Sequence, residues 1–384
     1  MWRLAGLVAL GMLASTAARA DDEPFVFSVE RHATSNALDG DLAIADFYTL
    51  LRGSIHRTFE REGGHVRLSA EFQASKFDKV SIEDDAALAL AAEVYDRIAP
   101  GLEVRGSISW RVASEGDDLA IGPLRLGARS TSAAVEAKSQ LGIDLGRKLT
   151  LVLEASDAFE QTGRTRFQEG LLAPARLDPD RNRAGVSATI SRKDGPVSIA
   201  ASAAAMAVTV EKLGDPPVAL SFTQLTLAGE AVYAEPTGAL VGLAVGLQAL
   251  RGAADIFSDV RPTYKLRLVR PLPFGLELRG MLGAAFETQD SDDPLASWLR
   301  RGEIELRMKF DERLAAGVGL FDQMKENLLL ENRELSRGLY VEANWQATPR
   351  FAVVLRADYA RTFKTVIDER KTVLDAYVGL RAKL

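Results

Sequence analysis

Three histidines, His32, His56 and His65, are the residues of this 384-residue chain best suited to proton transfer near neutral pH. With no cysteine in the chain, a hydroxyl would have to serve as nucleophile, beside a histidine and an orienting carboxylate. The local sequence does not build that arrangement. His56 falls in mid-strand, His65 flanks the short turn EREGG (60–64), and His32 opens a polar link. They read as polar lining and turn residues, and no enzymatic activity is expected. The acidic run Asp290-Ser291-Asp292-Asp293 lacks the glycine and distal glutamate of a calcium loop, and no glycine-rich phosphate loop follows a strand. The expectation is therefore no metal and no cofactor. One cluster remains: Arg164, Arg166, Arg176, Arg181 and Arg183 share the link 162–183 with Glu169, Asp178 and Asp180. Planar guanidinium forks suit lipopolysaccharide phosphates, or a constriction if the link folds into a lumen.

What positions these residues is a set of two-faced strands. In HVRLSAEFQAS (65–75), Val66, Leu68, Ala70, Phe72 and Ala74 alternate with Arg67, Ser69, Glu71, Gln73 and Ser75. The same period of two recurs in GLEVRGSISWRV (101–112), GLELRGMLGAAFE (275–287) and GEIELRMKF (302–310). Stretches 197–210 and 238–247 are small or apolar on both faces, yet they lie between turn signals and contain β-branched residues, so they read as strands with a nearly uncharged polar side. The segment 124–144 changes phase around Ser130–Ala134, which reads as one long strand with a bulge.

The ends and the balance of charge narrow the class. MWRLAGLVALGMLASTAARA has the early charge, short apolar core and Ala18-Arg19-Ala20 site of a secretory leader, so the expected mature domain is 21–384. Residues 1–20 contain Arg3 and Arg19 and no acid; 47 basic residues less these two leave 45 against 53 acidic, which disfavours nucleic acid. No mature stretch is apolar for long enough to cross a bilayer as a helix.

Short turns at 60–64, 99–101, 144–148, 192–196, 234–238, 270–275, 310–313 and 347–350 alternate with longer polar links at 32–41, 75–85, 113–123, 162–183, 211–217, 251–262, 288–297, 323–336 and 363–371. Leu328–Leu330 inside the link 323–336 reads as a short helix with a buried side. Eight turns and nine links imply an all-β, antiparallel, up-and-down transmembrane barrel of about 18 strands, with 16 the alternative. Short turns would be periplasmic and long links extracellular, with both termini on the periplasmic side. In such a barrel the apolar faces meet lipid. The opposite faces would line the lumen with Arg67, Glu71, Glu103, Arg105, Arg111, Glu136, Lys138, Glu154, Glu230, Lys265, Arg267, Glu277, Arg279, Glu303, Glu305, Arg307, Lys309, Glu342, Arg356, Asp358 and Arg381.

The terminal strand VLDAYVGLRAKL (373–384) resembles the signal by which the barrel-assembly machinery recognises outer-membrane proteins, with Leu384 where Phe or Trp is commoner. The run DGDLAIADFYTLLRGSIHRTFEREGGHVRLSAEF (39–72), followed by repeated hairpins, resembles the outer-membrane porins of the beta-barrel-porin-2-like group. That resemblance implies a Gram-negative outer-membrane barrel, and either general diffusion or polysaccharide export. The function expected is a porin-like channel for hydrophilic solutes, with polysaccharide export or a surface-loop receptor or adhesin as alternatives. Outer-membrane lipid and lipopolysaccharide, the assembly machinery and small polar solutes or polysaccharide are the expected partners.

Overall fold

The computed structural model describes residues 20–22, 25–38, 43–121, 124–168, 172–212, 220–253, 257–288, 296–328, 332–365 and 369–384. After β1 (Ala20–Asp22) come β2 (Val26–Thr34), β3 (Asp46–Arg61), β4 (Gly64–Phe77), β5 (Ala86–Ala99), β6 (Leu102–Ile121), β7 (Leu124–Gly146), β8 (Leu149–Thr162) and a two-residue β9 (Arg166–Phe167). The second half runs β10 (Arg181–Asp194), β11 (Val197–Val210), β12 (Phe222–Ala234), β13 (Leu240–Gly252), β14 (Ser258–Pro271) and β15 (Leu276–Glu287). It ends with β16 (Ser297–Lys309), β17 (Leu314–Asn327), β18 (Arg333–Thr348), β19 (Phe351–Lys364) and β20 (Glu369–Lys383).

Setting aside β1 and β9, eighteen long strands pair in chain order, all antiparallel, and β2 closes the ring on β20 through pairs such as His32↔Tyr377. At the seam, Phe25 N–H donates to Leu384 O at 3.1 Å and Leu384 N–H to Phe25 O at 2.8 Å, so both ends of the barrel chain finish at the short-turn end. Closure leaves no strand edge open along the apolar belt, which a sheet immersed in hydrocarbon requires.

The outer face carries the apolar set. Val186, Leu225, Leu247, Ile304, Leu320 and Leu380 are each more than half exposed, far beyond what a soluble surface of this continuity leaves to water. Both ambiguous stretches are strands, β11 and β13, and the inner face of β11 carries only Ser198, Ala200, Ser202, Ala204, Met206, Val208 and Val210.

All eight short turns lie where the sequence places them. The turn after β7 holds Arg147 (φ 52°) and Lys148 (φ 65°) in the left-handed region that a two-residue hairpin demands. Several long links, however, are shorter than the sequence reading. β6 continues to Ile121, β14 begins at Ser258, β17 and β18 reach Asn327 and Arg333, and β19 and β20 reach Lys364 and Glu369. Beyond the apolar belt both faces of a strand can be polar, so alternation disappears while the backbone ladder goes on. The bulge expected at Ser130–Ala134 is absent, since β6 and β7 pair without a slip from Ile121↔Leu124 to Leu102↔Ile143. The phase change there reflects new neighbours: Leu126 and Ala128 are buried on a face that lower down is polar. The register does shift at Asp144/Gly146, beside the turn.

Residues 1–19 of the expected leader, the acidic run 290–293 and Leu329–Leu330 lie outside the described residues. Leu328, the described end of the expected short helix, follows β17 directly and is buried.

The rim at the long-link end has its own fastening. Asp46 accepts the backbone N–H groups of Phe47 (2.8 Å), Lys79 (3.0 Å) and Val80 (2.9 Å), tying the link after β4 to the start of β3. Burial raises the Asp46 carboxyl pKa, and the three N–H donors outweigh it, holding the group below the usual carboxylate range. A depressed folded pKa stabilises above the unfolded value of about 4 and loses that contribution as pH falls through the folded one. Asp46→Ala is therefore expected to speed proteolysis of the 78–85 segment at pH 7 and to have little further effect under strongly acidic conditions. Limited digestion at the two pH values checks both.

Candidate functional site

The interior wall is the candidate site, and register decides what it displays. Leu306 pairs with Leu278 and Val318 on the outer face, so Arg307, paired with Glu277 and Gly317, faces inward. Carried around the ring, the same bookkeeping turns Arg67, Glu71, Glu103, Arg105, Arg111, Glu136, Lys138 and Glu154 inward on β4 to β8. Lys265, Arg267, Glu277, Arg279, Glu303, Glu305, Lys309, Glu342, Arg356 and Asp358 turn inward on β14 to β19, as do Glu230 on β12 and Arg381 on β20.

Over β15 to β19 these charges interlock. Arg307 lies 3.2 Å from Glu305 and 2.8 Å from Glu342, and Arg356 lies 3.7 Å from Glu342 and 2.8 Å from Asp358. Arg279 joins Glu277, and Tyr340 Oη donates to Glu303 Oε1 at 3.0 Å. A glycine makes room for that tyrosine: a Cβ at Gly319 would sit 2.2 Å from Tyr340 Cζ. Arg356 covers the same ring at 4.6 Å. Ion pairs this wet contribute at most about 1 kcal/mol each, so the ladder's main effect is to fix charges of both signs on the wall. On the opposite wall, Glu136 and Lys138 lie 2.9 Å apart and Arg105 covers Tyr95 at 5.3 Å. Between the two walls, the inner faces of β11 and β13 carry no charged residue.

The loop arginines separate. Arg164 and Arg166 are exposed, and Arg166 sits in β9 opposite Arg129. Arg176 is committed to Asp180 and Glu211, each at 2.6 Å. Arg181 and Arg183 are a correction to the link reading, because both lie within β10 and face inward, opposite Glu160 and Ala158. The polarity of RNR hid a strand whose outer side is already above the apolar belt.

His32 also moves from link to strand. It lies on the inner face of β2, sandwiched between Tyr48 at 4.3 Å and Tyr377 at 4.4 Å, with Phe77 stacked on Tyr48 at 4.5 Å. Its Nδ1 is 3.0 Å from Asp375 Oδ1 and its Nε2 3.2 Å from Glu30 Oε2, while Arg52 donates to Glu30 Oε1 at 2.6 Å. Both ring nitrogens are taken by carboxylates, leaving neither for a hydroxyl nucleophile. His56 and His65 pair with Ser69 and Glu60 on other rungs, so the three histidines do not converge. The alternation Ser28, Glu30, His32, Thr34 was the available signal for this inward row.

A second feature escaped the sequence entirely. Pairing of β14 with β15 stops at Tyr264↔Ala284, whereas β15 to β17 stay paired to Glu287↔Ser297 and Ser297↔Asn327. Above the split, the outer face of β15 to β17 packs against the inner face of β11 to β14, so this part of the wall folds into the mouth as a lip. Phe286, Trp298 and Leu328 form one buried cluster with Val208, Val210, Phe222 and Leu250. Arg261, inward on β14, pairs with Glu326 at 3.1 Å and lies 5.3 Å over Trp298 and 5.9 Å over Phe286. The Phe286 N–H that lost its ladder partner donates to Gln248 Oε1 at 2.9 Å.

Neither protein-family models nor curated protein sequences return a match to the chain. Solved structures do. The copper transporter OprC aligns with a TM-score of 0.56 at 8% identity, over 96% of this chain and 82% of that one. The ferripyoverdine receptor of the outer membrane of Pseudomonas aeruginosa aligns at 0.51 and 10% identity, over 93% and 59%. OpdK of Pseudomonas aeruginosa, solved with vanillate, aligns at 0.50 and 10% identity, over 94% and 98%. At such identities the likeness is one of fold, and the fold is that of the closed antiparallel barrels of outer-membrane proteins.

Proposed function

We propose that the protein is an outer-membrane channel for hydrophilic solutes, narrowed on one side of its mouth by the inward lip. The observation that carries this reading is the wetness of the charged wall. Side chains of Lys138 (49%), Arg279 (43%), Glu136 (42%) and Arg307 (38%) remain open to the interior although each has an ion-pair partner. In a filled barrel such charges would be packed and buried; lining a water-filled passage, they are solvated and set selectivity. The apolar outer belt and the closed ladder support a place in a bilayer, and the long-link end is the cell-surface side on this reading. The porin-2-like resemblance and the C-terminal strand agree with it.

The barrel is expected to fractionate with the outer membrane, to migrate faster on unboiled detergent gels than after boiling, and to carry ions across planar bilayers. A tag at Gly195 is expected to need permeabilised cells for labelling. Recovery as a soluble protein without a heat-dependent gel shift would overturn the membrane reading, and a folded barrel that passes no ions would overturn the channel.

A further inference from the structure

Where the lip bends inward it leaves a hollow of about 410 Å³ on the outer wall, floored by Tyr264, Leu282, Met324 and Leu335 and edged by Arg300 and Arg337. The outer face of β18 to β20 continues the basic edge. Arg337 stands directly opposite Arg361, and Arg370 lies one rung higher, opposite Phe363. Arg300, Arg337, Arg361 and Arg370 are all exposed, with the Arg337 side chain 75% open. Among the described acids of these strands, Asp322 pairs with Arg337 at 2.9 Å and Glu326 is drawn through the split to Arg261. Two like charges directly across a strand pair repel, and an anion bridging them would relieve that. Immediately below the arginines the same strands present Ile304, Leu320, Leu339 and Leu374, all exposed and apolar.

We propose that this surface, the hollow together with the arginine row of β16 to β20, binds a phosphorylated lipid of the outer leaflet. The arginine forks take its phosphates, as bidentate partners at the depth where headgroups lie. The acyl chains run down the apolar belt beneath, and a chain end or sugar fills the hollow. The charge lies at the boundary of the belt, where a phosphate and a chain can be engaged at once; this favours a lipid over a free anion. The link 162–183 is poorly placed for the same task, with Arg176 already paired and Arg181 and Arg183 facing inward. The inference rests on the outer-membrane reading above.

The test is thermal unfolding of the full barrel in detergent, titrated with bis-phosphorylated lipid A, with the same lipid after dephosphorylation, and with inorganic phosphate. The expected result is a rise in unfolding midpoint with the phosphorylated lipid alone. The rise is lost in Arg300→Gln/Arg337→Gln/Arg361→Gln and kept in Arg164→Gln/Arg166→Gln. Should the triple variant not refold, Arg300→Gln alone is read in the same titration and is expected to need more lipid for the same rise. An equal response to the dephosphorylated lipid, a response to phosphate alone, or an unchanged response in the row variants would overturn the proposal. Because the measurement is made in detergent, failure here with normal outer-membrane fractionation removes the lipid site and leaves the channel standing.

Discussion

Leu306→Arg is expected to cost the barrel about 2–4 kcal/mol and much of its folded yield, whereas Arg307→Gln, one residue along, leaves folding intact. Leu306 lies between Ile304 and Met308 in the apolar belt, paired with Leu278 and Val318, so a guanidinium there meets hydrocarbon. Arg307 faces water and gives up two ion pairs, at 3.2 Å to Glu305 and 2.8 Å to Glu342. Their loss costs little in stability because both partners keep another cation, Arg279 at 4.0 Å from Glu305 and Arg356 at 3.7 Å from Glu342. The wall does lose one positive charge beside two carboxylates, so the open channel shifts toward cations. The heat-dependent gel shift reads the first effect, and reversal potential across a salt gradient reads the second. Equal tolerance of both substitutions would argue against lipid at Leu306.

The second large effect belongs to the lip. Arg261→Ala/Trp298→Ala removes the guanidinium that ties Glu326 and the aromatic that closes the cluster, where truncation of a packed aromatic costs about 3–5 kcal/mol. The strands below Ala284 remain paired on both sides, so the loss is local and the barrel still forms. The lip is expected to loosen and the conductance to rise, with faster proteolysis of the segment around Trp298 from the cell-surface side. Unchanged conductance with demonstrably faster cleavage would mean that the lip does not narrow the passage.

How far the sequence carries can be judged strand by strand. Where one face meets lipid and the other water, as in Val66–Ala74, alternation states the strand, its phase and its inner residues without ambiguity. The turns are equally legible, because glycine and proline mark chain reversals chemically. Legibility fails outside the belt. At His32, at Arg181 and Arg183 and beyond Ala113, the strand continues while its outward side turns polar, and the alternation that identified it is gone. The phase change near Ser130 misleads for the complementary reason: the ladder is regular but the environment of each face switches. Ion pairs such as Arg307 with Glu342 depend on the relative register of β16, β17 and β18, which no single segment contains. The lip is less legible still, since the apolar residues Phe286 and Trp298 follow the lipid-facing pattern and only the break in β14–β15 pairing redirects them inward.

Whether the charged interior conducts is read most directly by single-channel recording on the purified, heat-modifiable barrel in a planar bilayer, with Arg307→Gln and Arg261→Ala/Trp298→Ala recorded alongside. Discrete conducting steps are expected for the wild type, with a reversal potential moved toward cations in the first variant and larger steps in the second. A correctly folded barrel that stays silent in all three forms would contradict the channel reading.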